Sequence, residues 1–176
     1  MDRKTEEEIR AEVERVMQEL TFLEREARDR GELFVRLDEE TLRRKIAGDE
    51  ADSPFFGGWG MSSGPPGGKA NVSVYVYNPD PVSYYYHGYL VFGPSCLIQA
   101  TDLSLTAVDT RLPRYTRNLF VAPNSSMNQT YPIPIPPDFP PALGGYIGSC
   151  YMVDLYTLDV AQVIDRVTLY ITVSPP

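Results

Sequence analysis

His87 is the only histidine and Cys96 and Cys150 are the only cysteines in the 176-residue sequence. Imidazole or thiolate chemistry therefore has little material. A general base needs a nucleophile or an orienting acid within hydrogen-bond reach. His87 lies in the run 84–92 with no Gly-x-Ser-x-Gly elbow nearby, and Ser95 before Cys96 lacks that context too. Asp102 and Asp109 come nearest to an acid pair, and with Asp80 they offer oxygens for Ca²⁺. Their spacing is not that of an EF-hand, and turn Asp and Asn side chains ordinarily bond their own backbone. No phosphate loop, dinucleotide fingerprint or zinc spacing occurs. The expectation is a protein that is not an enzyme and holds no metal or cofactor. Cys96 and Cys150 are open to two readings, a bridge in an oxidising compartment or two free thiols.

The aromatic residues are the richer source of chemistry. Tyr75, Tyr77, Tyr84, Tyr85, Tyr86 and Tyr89 crowd one stretch that is almost free of charge. Tyrosine enrichment with charge depletion is the composition of an interface core, and a phenol ring can equally stack on a sugar. Phe55, Phe56 and Trp59 interrupt a stretch otherwise rich in Gly and Pro. Large aromatics are seldom left in water without a use, so these three are expected to plug a groove or to form a recognition segment. All nine are candidate interface or ligand contacts.

The elements that must position them fall into two chemically different halves. Of the first 52 residues 28 are charged; of the remaining 124 only 12 are, and these hold all 16 Pro and all 12 Tyr. The organisation expected is a helical arm over 1–48, a Gly/Pro-rich linker with an aromatic plug over 49–70, and a β domain over 71–176. In the arm, a long helix is predicted over 5–30. Thr5 and Glu8 make a capping box, and Gly31 stops the helix. Ile9, Val13, Val16, Leu20, Leu23 and Ala27 repeat in heptad spacing. Met17 widens the stripe. β-branched residues at its d positions favour three or four strands over a parallel dimer. Ile9, Val13, Val16, Met17, Leu20 and Leu23 are therefore candidate oligomerisation or docking residues; packing on the chain itself is the alternative. A short helix is predicted over 39–47, capped by Asp38 and ended by Gly48.

Beyond residue 70, short alternating runs are separated by turn residues. Strands are predicted over 72–77, 84–92, 103–108, 118–122, 129–135, 146–157 and 163–173. Seven strands without intervening helices read as an antiparallel sandwich. The segment 131–137 alternates Tyr or Ile with Pro, which confines it to a sheet edge or to polyproline II form. Gly144-Gly145-Tyr146, the strand after it, the turn at Asp159 and the closing run 167–173 resemble the end of immunoglobulin-like domains. No Cys…Trp…Cys framework accompanies them, so the resemblance implies an architecture and not a function.

The fold class expected is α+β by segments, a coiled-coil-type helix followed by an antiparallel sandwich. A net charge of −8 excludes the basic footprint that nucleic-acid binding requires. No apolar run reaches the 18 residues of a membrane-spanning helix. The first 20 residues carry no signal-type apolar core, which points to the cytoplasm or to a particle. The role expected is a structural subunit of a multi-subunit assembly, of the virion or phage-appendage kind. Its partners would be copies of itself or other subunits. A sandwich that binds carbohydrate is the alternative.

Overall fold

The computed structural model describes residues 4–48, 54–94, 115–138, 145–154 and 162–174. Helix α1 spans Glu6–Asp29 and α2 spans Glu39–Ala47. The strands are β1 (Leu33–Arg36), β2 (Phe55–Met61), β3 (Lys69–Asn78), β4 (Tyr84–Pro94), β5 (Tyr115–Val121), β6 (Ser125–Pro134), β7 (Gly145–Asp154) and β8 (Gln162–Thr172). Every strand pairing is antiparallel, and the strands form two four-stranded sheets in the orders β1-β2-β3-β6 and β5-β4-β7-β8. The α+β class with a sheet sandwich is the observed one. The strand predicted over 103–108 lies outside the described residues, as do Cys96, Asp102 and Asp109.

Both helices begin and end where their caps dictate. The Thr5 side chain accepts from Glu8 N at 3.2 Å, and Asp38 accepts from Thr41 N at 2.8 Å and from its hydroxyl at 2.9 Å. Those two bonds hold the Asp38 carboxyl below its usual range. The cap is thus intact above about pH 4 and is lost as pH falls further. Gly48 closes α2 at φ 78°, a left-handed conformation that costs glycine little.

Two strands replace elements expected to be irregular. Phe55–Met61 is not a linker but an inner strand, paired with β1 on one side and β3 on the other. Its glycines are what made it read as a tether, and they serve packing instead. A Cβ on Gly58 would lie 2.6 Å from the Phe34 ring, and one on Gly57 would lie 3.0 Å from the Tyr75 ring. Only a bare backbone lets those rings lie so close. β2 also bulges between Phe56 and Gly58. The bulge frees the Phe56 N–H, which donates to Asp165 of the other sheet at 2.8 Å. Residues 1–48 do not stand apart as an arm either, because β1 belongs to the first sheet and both helices lie on it.

Where the helices lie on it, the first sheet is buried on both faces. Along β3, Val72, Val74 and Val76 enter the core between the sheets, with Phe56, Tyr131, Ile133, Leu169 and Ile171. Tyr75 and Tyr77 enter a second core under the helices, with Phe55, Leu42 and Ile46. The edge strand β6 carries the prolines as their missing N–H groups require. Pro132 and Pro134 are exposed, while Tyr131 and Ile133 are buried.

The apolar stripe of α1 is what closes the second core. Ile9, Val13, Val16 and Leu20 are buried against the chain's own sheet and α2, with Met17 and Leu23 partly buried beside them. The expected partner, another chain, is therefore replaced by β2 and β3, and the stripe is not a surface for oligomerisation. Heptad spacing makes a stripe whether the covering surface is a helix or a sheet. Leu20→Ala should lower the unfolding free energy by about 2–5 kcal/mol at any protein concentration. Phe22→Ala, on the solvent side of the same helix, should stay within about 0.5 kcal/mol. Urea titrations at two concentrations check both.

Candidate functional site

The seam between α1 and β3 brings together Lys4, Glu12, Arg15, Glu19, Tyr75 and Tyr77. The Tyr75 hydroxyl donates to Glu19, and the Tyr77 hydroxyl donates to Glu12. Arg15 donates to the Tyr77 oxygen at 2.8 Å and to the Asn124 carbonyl at 3.4 Å. Lys4 pairs with Glu12 at 2.7 Å and also donates to the Pro79 carbonyl. Glu12 and Glu19 sit one heptad apart, at positions that would crowd like charges in a coiled coil. Here they satisfy two buried phenols. Burial comes first, and the hydrogen bond to Glu19 with its charge second, in pushing the Tyr75 phenol far above its usual range; burial and then Glu12 do the same to Tyr77. Phenols held protonated in this way are donors, so the seam is an anchor and not an acid–base pair.

Several predicted contact residues are consumed by the interior. Phe55, Phe56, Tyr75 and Tyr77 are buried, and Trp59 is half-buried against the inter-sheet core. They are not available to a ligand or partner, which corrects the expectation for Phe55, Phe56, Tyr75 and Tyr77. The groove-plug reading is the one that fits the two phenylalanines. Lys45 lies over the Phe55 ring at 5.5 Å, closing that plug from α2. Tyr84 is half-buried and donates to Asp80 at 2.6 Å. That turn is fixed by Asn78, whose buried amide donates to the carbonyls of Val82 at 2.7 Å and Ala122 at 3.1 Å. Tyr86, His87 and Tyr89 lie in β4, and their side chains are outside the described residues.

Tyr85 alone among the tyrosines with described exposure is open to solvent, at 48%. Its cross-strand partner is Phe120 of β5, itself 54% exposed. The two rings lie 6.3 Å apart and tilted at 54°, within the range of favourable aromatic pairs. Their strand neighbours Tyr84 and Val121 turn to the inter-sheet core, so the pair stands on the outer side of the second sheet. Phe120 was legible as a strand residue but not as an exposed one. Its alternation with Val121 carried the signal, but Leu119, Phe120, Val121 and Ala122 are all apolar, so parity is ambiguous. A second exposed feature was also missed. Phe22, 59% exposed, lies in a groove of about 560 Å³ between α1 and α2, beside Met17, Thr21, Arg25 and Arg43.

No protein-family model matches the sequence, and no curated protein matches it. Solved structures give partial likenesses. A cycloisomaltooligosaccharide glucanotransferase from Paenibacillus sp. is 13% identical with a TM-score of 0.43, over 65% of this chain and 14% of that one. Red sea bream transglutaminase is 11% identical with a TM-score of 0.43, over 78% of this chain and 19% of the other. A sporulation control protein from Bacillus subtilis is 10% identical with a TM-score of 0.41, over 69% and 49%. This chain thus spans less than half the length of each. The likeness is to β-rich domains and picks out no specific family.

The phenols of the seam make stability depend on alkaline pH. Both ionise at higher pH folded than unfolded, so their contribution is intact below about pH 10 and is lost as pH rises beyond it. In an absorbance titration of phenolate, two tyrosines should stay silent until the chain unfolds. The double variant Tyr75→Phe/Tyr77→Phe should be less stable at neutral pH, by about 1–3 kcal/mol at Glu19, which loses its phenol donor, and by less at Glu12, which keeps Lys4. Its stability should also fall less steeply above pH 10.

Proposed function

We propose that this chain is a non-enzymatic assembly subunit whose sandwich makes lateral contacts through the outer side of the second sheet. The observation that carries the reading is the Tyr85–Phe120 pair, two large rings held together in water on adjacent strands. Exposed apolar clusters of this kind mark sites of association. Tyr and Phe are also the residue types that concentrate binding energy at the centre of an interface. The register extends the reading along β4. His87 and Tyr89 share the parity of Tyr85, and Tyr89 is paired with Tyr151 of β7. The immunoglobulin-like reading of the closing β7–β8 hairpin belongs to the same proposal, since such a sandwich offers a whole sheet side to a neighbour. α1 acts within the subunit in this scheme, bracing the first sheet so that the second remains the contact side.

Sedimentation velocity tests the reading. The full chain should associate as its concentration rises, and Tyr85→Ser/Phe120→Ser should remain a monomer with an unchanged unfolding midpoint. A wild-type chain that stays monomeric at every concentration and shows no loss of any partner contact in the double variant overturns it. Recognition of a glycan lost on Tyr85→Ala overturns it in favour of a carbohydrate-binding module.

A further inference from the structure

A second recess lies on the outer side of the first sheet, where α1 runs out beyond the tyrosines. α1 runs opposite to β3, with Glu12 at Tyr77, Glu19 at Tyr75, and Leu23 and Ala27 facing the positions beyond. At Tyr75 and Tyr77 the gap between helix and sheet is filled. At Ser73 and Asn71 it is not, and a recess of about 240 Å³ remains, the bulk volume of about eight water molecules. One row of cross-strand neighbours forms its floor: Phe34 of β1, Gly60 of β2, Ser73 of β3 and Thr130 of β6.

The two sides of the recess differ in chemistry. Leu23, Ala27 and the Phe34 ring make an apolar wall. Opposite it stand hydroxyls and carboxamides: Ser73 and Thr130, bonded to each other at 3.0 Å, with Asn71 and Asn128 at the margin. Each hydroxyl keeps capacity for another bond. Among the described residues neither the Asn71 nor the Asn128 carboxamide has a hydrogen-bond partner. The charges lie at one end. Arg30 and Glu32 pair at 3.1 Å and offset each other, and Glu26 is exposed at the rim.

We propose that this recess is a binding site for a small neutral polyol, a single pyranose sugar. Such a ring has a C–H face and a hydroxyl-rich edge. The apolar wall accepts the face, and the carboxamides and hydroxyls of β3 and β6 accept the edge through cooperative donor–acceptor pairs. The charge-free floor disfavours an anion or a cation, which would need a partner the floor lacks. This site is separate from the Tyr85–Phe120 pair, and the inference does not rest on the assembly reading.

The test is saturation-transfer NMR and titration calorimetry on the full chain with glucose, galactose, mannose, N-acetylglucosamine and inositol. At least one should bind with a millimolar Kd. Asn128→Ala and Thr130→Val should each weaken it by tenfold or more. Gly60→Val should abolish binding, and Gly60→Ala, whose Cβ would lie in ordinary contact 3.4 Å from the Phe34 ring, should weaken it with an unchanged unfolding midpoint. Absence of saturation transfer from every member of the panel overturns the proposal. So does binding that survives Gly60→Val, or binding that is lost instead in Tyr85→Ser/Phe120→Ser.

Discussion

β3 must satisfy two interiors at once, and that requirement organises the molecule. Its even residues from Val72 to Val76 belong to the core between the sheets, and Tyr75 and Tyr77 to the core under the helices. An aliphatic residue at 75 would bury equally well but would take from Glu19 its phenol donor, and one at 77 would leave Glu12 with Lys4 alone. Tyrosine supplies apolar area for the core and a hydroxyl that reaches the carboxylate at its margin. The helix is thereby fixed in register as well as in contact. Heptad-spaced carboxylates meet phenols two residues apart, and Arg15 binds one of those phenols to the loop carbonyl of Asn124. Removing α1 would uncover not a passive surface but half the packing of the strand at the centre of the first sheet.

What the sequence made legible follows from which signals are local. Caps are local, and the α2 boundaries read from Asp38 and Gly48 agree with its observed span of Glu39–Ala47. Period-two alternation is local, so β3, β4, β7 and β8 were recognisable with ends off by a few residues. β1 has only four residues, too few for alternation to show. β2 reads as a tether because Gly57, Gly58 and Gly60 lower strand propensity, and the reason for the first two, the rings of Tyr75 and Phe34, is nonlocal. The stripe of α1 was legible as a stripe. Its partner was not, because periodicity encodes which face is buried and carries no information about the surface that buries it. The same gap separated the tyrosines. Tyr75 and Tyr85 look alike in sequence, and only the position of α1 over one sheet decides which becomes interior.

The helices cover the first sheet, while on the second, among the described residues, Tyr85 and Phe120 are exposed. Polar contacts tie the sandwich together at points away from both outer sides. Asp165 reaches from β8 to the bulge of β2, and Asn78 joins the end of β3 to the loops that flank β4 and β5. Both act on backbone groups that the ladder leaves unpaired, where an unsatisfied partner would be costly. The two sheets are therefore held in register by groups that do not compete with either exposed side for a partner.

The recess beside α1 arises from the same strand that anchors the helix. Outward residues of β3 shrink from Tyr77 and Tyr75 to Ser73 and Asn71, while the helix above them continues to Asp29. The step in side-chain size leaves the recess between them. A Cβ at Gly60 would lie in ordinary contact, 3.4 Å from the Phe34 ring, so a methyl group there would narrow the recess. Two hydroxyls, two exposed carboxamides and a bare backbone then line the recess where helix and sheet part, which is the surface an entering polyol would meet.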